Sequence, residues 1–119
     1  MEFLNRIKLR GVVGRAEVSS YNGSQVCNFS VVTEYSGVDK EGNSTSEVTW
    51  FNVALWNNRD AGVNLADIQK GVWVELTGRL RMRKYTRENG EERSSWDVIA
   101  RKVSLIPREE DALQPQRDW

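Results

Sequence analysis

An alternating stretch between Gly71 and Val98 constrains the fold of this chain more than any other feature. It begins GVWVELTGRLRMRKYT, and its even positions carry apolar side chains: Val72, Val74, Leu76, Leu80 and Met82. The odd positions carry mostly polar, basic or aromatic ones: Trp73, Glu75, Thr77, Arg79, Arg81, Arg83 and Tyr85. A period of two is typical of a β-strand with one face on a core. The pattern therefore predicts a strand with arginines and a tyrosine on its outer face.

A turn signal follows this strand. Asn89-Gly90 is typical of a tight hairpin reversal, and a second apolar run begins near Ser94. A strand of about 14 residues at roughly 3.3 Å per residue spans about 46 Å, which is longer than a small barrel needs. We therefore predict a long hairpin whose cationic arm, tipped by Tyr85, projects from the body of the protein.

Three earlier segments also have the pattern of strands: residues 3–18, 26–33 and 50–56. Gly11 and Gly14 interrupt the first one, which predicts a bend or bulge. The side chains predicted to point inward are Cys27, Phe29, Val31, Phe51, Val53 and Leu55. Alternation then leaves Trp50 and Trp56 on the opposite face of the third strand.

Residues 37–45 are polar and predict a loop, and residues 57–70 are the single helix candidate, with Asp60 as its cap and Gly71 as its stop. The order is then three strands, a short helix and two strands. That order favours an all-β, five-stranded oligonucleotide/oligosaccharide-binding (OB) barrel with the helix between strands 3 and 4. A generic small sandwich is the alternative.

The length of 119 residues suits one domain. We expect it to span residues 1–106, with residues 107–119 as a short mobile tail. No apolar run approaches the ~18–20 residues that cross a bilayer, and the N-terminus lacks a signal-peptide pattern. Cys27 is the single cysteine. A cytoplasmic protein without a membrane partner is therefore expected.

The chain has no histidine and one cysteine. This composition excludes zinc sites built from His and Cys and the nucleophilic machinery of Ser-His-Asp or Cys-His enzymes. No acidic cluster has the spacing of metal ligands. The sequence therefore predicts a non-enzymatic protein that needs neither a cofactor nor a metal.

Charge is distributed unevenly, although 17 basic and 17 acidic residues give a net charge of zero. Residues 79–87 hold five basic side chains and no acid, and residues 6–15 hold four more. The local field decides where a phosphate backbone lies. The candidate phosphate-binding residues are Arg79, Arg81, Arg83, Lys84, Arg87, Arg6 and Lys8.

Many ordered positions resemble a known family. They are Asn5-Arg6-Ile7 with Gly11 and Gly14, residues 26–30, residues 50–53, Lys70-Gly71, residues 75–81, Arg83-Lys84-Tyr85 and Asn89-Gly90. In this order they resemble bacterial single-stranded DNA-binding proteins over residues 4–106. The resemblance implies a nucleoid-associated protein that coats single-stranded DNA in replication, repair and recombination. It also implies a homotetramer, with a homodimer as the second choice.

The family's stacking positions fall on Trp50, Trp56 and Tyr85, with Tyr35 as a looser match. Aromatic rings stack on bases of any sequence, and arginine and lysine neutralise phosphates. Trp73 and Trp96 lack such a counterpart and are interpreted as packing or subunit-contact residues.

Two departures from the family qualify the resemblance. Family members often carry a histidine where this chain has Phe51, near a subunit contact. The acidic tip ending in Pro-Phe, which recruits replication and repair proteins, is absent after residues 109–111. Two other functions stay open at this point: a primosome-like or structural adaptor whose aromatic faces bind protein, and a binder of RNA or oligosaccharide.

Overall fold

Five long strands build the body of the protein in the computed structural model, which describes residues 1–107. They are β1 (Ile7–Tyr21), β2 (Ser24–Val38), β3 (Ser44–Trp56), β4 (Trp73–Thr86) and β5 (Glu92–Ile106). A single 3-10 turn, Leu65–Asp67, lies between β3 and β4. The predicted mobile tail at 107–119 lies outside the described residues except for Pro107, and the predicted domain boundary at 106 coincides with the end of β5.

The sheet closes on itself in the order β1-β2-β3-β5-β4, with β4 returning to β1. Neighbouring strands are antiparallel except β3 and β5, which pair in parallel from Asn52 with Asp97 to Leu55 with Ala100. A closed sheet of five strands with one parallel pair is the predicted OB barrel. The expectation from strand order is therefore confirmed.

The side chains that point inward by alternation fill the barrel, as the sequence predicts. The buried core includes Val13, Cys27, Phe29, Val31, Val53, Leu55, Val74, Leu76, Val98 and Val103. Leu55 is fully buried, so its truncation to alanine would cost about 2–5 kcal/mol of folding free energy. Burial also raises the pKa of the Cys27 thiol, which makes this group a poor nucleophile near neutral pH.

β1 bends at Gly14, where its register against β2 shifts between Val13 and Arg15. A Cβ atom on Gly14 would lie 2.8 Å from Cη2 of Trp50. Nearby, a Cβ on Gly11 would collide with the carbonyl of Val32. The predicted bulge is therefore present, and glycine is required there because neighbouring groups approach the backbone closely.

The short helix predicted between β3 and β4 is present, but residues 57–70 overstate its extent, because only the 3-10 turn Leu65–Asp67 forms. Asn58 Oδ1 accepts a hydrogen bond from Asp60 N, which starts a turn instead of capping a helix. The carbonyl of Ala61 then accepts a hydrogen bond from Val103 N at 2.8 Å. This contact ties the segment to β5, while Ala61, Leu65 and Ile68 are buried against the barrel core.

The loop predicted at residues 37–45 is also wrong in extent. β2 and β3 stay paired as far as Val38 with Ser44, so only residues 39–43 form the turn. The Asp39 carboxylate accepts hydrogen bonds from the amides of Glu41 and Asn43. Backbone pairing needs no apolar side chains where both faces meet water, which is why the polar sequence hid the strand.

Two hairpins thus extend beyond the barrel. We call residues 33–49 the β2–β3 arm and residues 81–96 the β4–β5 arm, because within each range the two strands pair only with each other. Met82 was expected to point inward, and this is wrong. It pairs with Trp96 on the β4–β5 arm, where both side chains are exposed because the arm has left the core.

Candidate nucleic-acid interface

The outer face of β3 carries two exposed tryptophans. Alternation turns Val53 and Leu55 into the barrel and leaves Trp50 and Trp56 outside, 59% and 39% exposed. The edge of the Trp50 indole lies over Gly14 of β1. Because glycine has no side chain, the indole packs against the bend in β1 while its other surface stays open to solvent.

The outer face of β4 carries the predicted cations in line. Arg79, Arg81, Arg83 and Tyr85 alternate with inward or opposite-facing residues along the strand. Tyr85 is 45% exposed and pairs across the β4–β5 arm with Arg93. Trp50 and Trp56 on β3 therefore share one outer surface of the sheet with the three arginines and Tyr85 on β4, and β5 lies between the two strands.

A row of polar side chains crosses all five strands between the two tryptophans. From β1 to β4 it runs Arg15, Ser30, Asn52, Asp97 and Arg81, each paired in register with the next. All of the row except Ser30 lines a shallow groove of about 300 Å³, whose polar lining also includes Asn28 and Arg83. The groove thus has guanidinium groups at both ends and amide and carboxylate groups between them.

Asp97 is the buried acid of this groove, with 8% of its surface exposed. Its Oδ2 atom lies 3.4 Å from Nε of Arg83 and 3.7 Å from Nη2 of Arg81. These separations exceed the roughly 2.7–2.9 Å of a charge-assisted hydrogen bond. Asp97 therefore holds both guanidinium groups near the groove by charge without fixing their orientation tightly.

Sequence reasoning missed Asp97 because it could not fix the register of the hairpin. A two-residue turn at Asn89-Gly90 would place Val98 opposite Arg81. Thr86 instead pairs with Glu92, which leaves a five-residue turn and puts Asp97 opposite Arg81. A shift of one residue exchanges the two faces of a strand, so the identity of the groove acid depends on the turn.

Arg15, Asn28 and Asn52 were also missed as groove residues. Arg15 reaches the outer face because the bulge at Gly14 reverses the alternation along β1. The sequence predicts a bend or bulge at this glycine, but it does not predict that the side chains after the bulge exchange faces. Alternation in β2 and β3 predicts both asparagines on this outer face, but it does not mark them as contact residues.

Three predicted contact residues lie away from the groove. Lys84 falls on the opposite face of β4 from Arg83, since neighbouring residues of a strand alternate. Arg87 lies in the turn, where its amide donates to the Glu91 carbonyl. Tyr35 is 72% exposed on the β2–β3 arm and faces away from the side that carries Trp50.

Arg6 and Lys8 lie where the start of β1 pairs with β4. Arg6 lines a second groove, of about 610 Å³, together with Arg79 and Arg101. Lys8 lies 3.4 Å from the Glu75 carboxylate, which also accepts hydrogen bonds from Arg10. The hydrogen bonds from Arg10 and the nearby Lys8 lower the pKa of Glu75. Part of the Lys8 charge is therefore neutralised.

The barrel and its aromatic, cationic outer face define an OB-fold binding domain. Residues 4–106 match the single-strand binding protein family. The chain belongs to the single-strand binding protein family, whose members bind DNA without catalysing a reaction.

Relatives named single-stranded DNA-binding protein support this membership. The one from Neisseria meningitidis serogroup A is 33% identical over 105 residues, covering 87% of this chain and 60% of the relative. The one from Xanthomonas campestris is 29% identical over 107 residues, with the same coverage. The chain thus spans about 60% of the length of these relatives.

Two solved structures share the fold. A Plasmodium falciparum SSB in complex with ssDNA superposes with a TM-score of 0.75 at 22% identity, covering 90% of this chain and 98% of that one. A deletion mutant of the single-stranded DNA binding protein from Thermus aquaticus gives a TM-score of 0.73 at 20% identity, covering 91% and 53%. Within residues 1–107, no helix has the length and apolarity needed to cross a membrane.

Proposed function

We propose that this chain binds and coats single-stranded DNA without requiring a defined sequence. The observation that carries the proposal is one continuous outer face that combines exposed aromatic rings with guanidinium groups. Membership of the single-strand binding protein family supports the same reading. In this proposal bases stack on Trp50, Trp56 and Tyr85, while Arg79, Arg81 and Arg83 neutralise phosphates.

Stacking suits an unpaired strand because every base has a flat π-face. Each base–aromatic contact is worth about 1–3 kcal/mol by alanine substitution, whatever the sequence. Trp50 and Trp56 are six residues apart in β3, or about 20 Å at 3.3 Å per residue. That distance separates different bases on one strand, so the two indoles serve as successive platforms.

The arginines supply the second contribution to the binding free energy, by neutralising phosphates. A single strand releases about 0.7 counterions per neutralised phosphate, so affinity falls as salt rises. Lys84 and Arg87 would contact phosphates where the strand crosses the β4–β5 arm, and Tyr35 would stack bases on the other arm. Arg6 and Lys8 are weaker candidates at the β1–β4 edge, Lys8 because Glu75 already pairs with it.

The proposal extends to the biological setting. We infer a homotetramer, or else a homodimer, because Trp73 and Trp96 are exposed on the described chain and are separate from the proposed stacking positions. Covering such residues is a common reason for self-association. A role in replication, repair and recombination, and a cytoplasmic, nucleoid-associated location, would follow from the DNA target.

Fluorescence titration with oligo(dT) tests the function directly, because stacking quenches indole emission. We expect strong quenching at low salt that weakens as salt is added. Trp50→Ala with Trp56→Ala should remove most of the quenching and lower affinity, while Trp50→Phe with Trp56→Phe should keep most of the affinity, measured by anisotropy of labelled oligonucleotide.

Sedimentation of the same variants separates the adaptor alternative. If the aromatic face binds protein, the double alanine variant should lose its oligomeric state and keep its affinity for DNA. Absence of binding at low salt by the wild-type chain would contradict the proposed function. Competition with oligo(U) and with sugars distinguishes DNA from RNA or oligosaccharide as the ligand.

A further inference from the structure

The groove between the tryptophans contains groups that can read the edge of a base. Asn52 lies between Trp50 and Trp56 on the outer face of β3 and pairs in register with Asp97 of β5. Trp50 and Asn52 are two residues apart, or about 7 Å along the strand, and neighbouring strands lie about 4.8 Å apart. A base stacked on Trp50 would therefore extend its edge over Asn52 and Asp97.

The Asp97 carboxylate would need a new hydrogen-bond donor once DNA binds. Its partners in the free protein are Arg81 and Arg83, whose side chains are 45% and 61% exposed. Both lie beyond ideal hydrogen-bond distance, so they can turn toward phosphates. The Asp97 carboxylate, on a side chain that is 11% exposed, would then be left without a donor, and an uncompensated buried charge is strongly unfavourable.

A base with an amino group on its edge can supply that donor. The N4 amino group of cytosine donates to carboxylates, as Asp and Glu contacts to cytosine do in duplex DNA. Uracil and thymine place a carbonyl oxygen at the same position, and this oxygen would repel the carboxylate. Their N3–H donor lies between two carbonyl oxygens, which also face the carboxylate and weaken that contact. Asn52 can serve either edge, because its amide both donates and accepts. Asp97 is therefore the group that discriminates.

We propose that Asp97, with Asn52 beside it, forms a base-edge site that favours cytosine over uracil and thymine in bound single strands. This inference rests on the proposed function and deepens it. Binding still requires no defined sequence, because the stacking and phosphate contacts accept any base. The site adds a preference for cytosine as the base that stacks on Trp50.

Competition between oligo(dC) and oligo(dU) of equal length tests the site. These strands differ only in the pyrimidine edge, since deoxyuridine lacks the methyl group of thymidine. At neutral pH, and at a salt concentration where neither strand saturates the protein, we expect oligo(dC) to bind about fivefold more tightly. The readouts are tryptophan quenching and displacement of a labelled strand.

Asp97→Asn is the diagnostic variant because it keeps the shape and presents both a donor and an acceptor. We expect its ratio of affinities for oligo(dC) and oligo(dU) to fall close to one. Asp67→Asn is the matched control, since it removes the same charge from an exposed position on the 3-10 turn. This control should keep the wild-type ratio.

The outcomes separate the inference from the function beneath it. Equal binding of the two strands by the wild-type chain, with normal quenching and salt dependence, overturns the base-edge site and leaves DNA binding intact. A preference that persists in Asp97→Asn also overturns it. Failure to bind either strand contradicts the proposed function itself. If Asp97→Asn does not fold, as judged by thermal melting, the wild-type ratio decides: about fivefold tighter binding of oligo(dC) supports the site, and a ratio near one overturns it.

Discussion

The two arms end in the same turn but carry opposite charge. In each, the first residue of a five-residue turn donates its amide to the carbonyl of the fifth: Asp39 to Asn43, and Arg87 to Glu91. The fourth residue is a glycine with positive φ, 83° at Gly42 and 86° at Gly90.

The difference lies in the ionic side chains. The β2–β3 arm has four acids and one base, and the β4–β5 arm has five bases and three acids. The comparison shows that backbone pairing and turn chemistry build an arm, whereas side-chain charge decides which arm can meet a polyanion. The arm with the cations should therefore dominate binding to a single strand.

Removing the arginines of the β4–β5 arm should break this asymmetry most strongly. We expect Arg81→Gln with Arg83→Gln to weaken binding of oligo(dT) by about 100-fold at low salt and to reduce the salt slope by about 1.4, or 0.7 per lost phosphate contact. Anisotropy titrations over a range of salt concentrations measure both values.

Lys40→Gln, at the one cation of the β2–β3 arm, is the matched control and should change affinity by less than about twofold. Equal losses on the two arms would contradict the comparison. Because the double variant strands the Asp97 charge, a triple variant with Asp97→Asn checks that the loss of binding is not a loss of folding.

Truncating an aromatic side chain should lower DNA affinity by different amounts on the two faces. Trp50→Ala is expected to weaken binding about tenfold, since one base loses its platform. Trp50→Phe keeps a flat ring and should stay within about threefold of wild type. Tyr35→Ala on the β2–β3 arm should have a smaller effect than Trp50→Ala, because Tyr35 faces away from the groove. A larger loss for Tyr35→Ala than for Trp50→Ala would reassign the path of the strand.

The two turns should respond alike, which sharpens the claim that the arms share one architecture. Gly42→Ala and Gly90→Ala each force a Cβ into positive φ, where nothing else lies within 4 Å. Each should destabilise its own turn by about 1–2 kcal/mol. Hydrogen exchange at the Asp39 and Arg87 amides measures this, with Ser36→Ala as a neutral control. Unequal losses of protection would show that the turns are not equivalent.

The barrel supplies the smallest expected effect, through the ion pair of Glu75 with Arg10. The pKa of Glu75 is lowered in the folded protein, so its contribution to stability is present above the unfolded pKa, near 4.3. That contribution is lost as the pH falls through the lower folded value. Melting temperatures between about pH 6 and pH 2 should therefore fall less steeply in Glu75→Gln than in wild type.

Matching pH slopes in the two proteins would show that the pair with Arg10 does not stabilise the fold. The effect should be small in any case, because the Arg10 side chain is 67% exposed and ion pairs at the surface are screened.

Alternation made much of this protein readable before any coordinates were known. It placed Trp50, Trp56 and the β4 arginines on an outer face, because one buried face forces the pattern. It failed where both faces meet water, as in the β2–β3 arm, and where turn length sets the register, as at Asp97. The predicted helix is too long because hydrogen bonds of Asn58 and Ala61 compete with helix formation, and the partner of Ala61, Val103, lies far away in the sequence.

The five-residue turn at the tip of the β4–β5 arm has a consequence for how such a protein can evolve. Its composition can drift, since its side chains are exposed. Its length is constrained more tightly than its composition. Deleting one residue would shift the register of β5 against β4 by one residue and move Asp97 away from the arginines. Insertions and deletions at this tip should therefore be tolerated in twos, a rule that loop-length libraries selected for DNA binding can reveal.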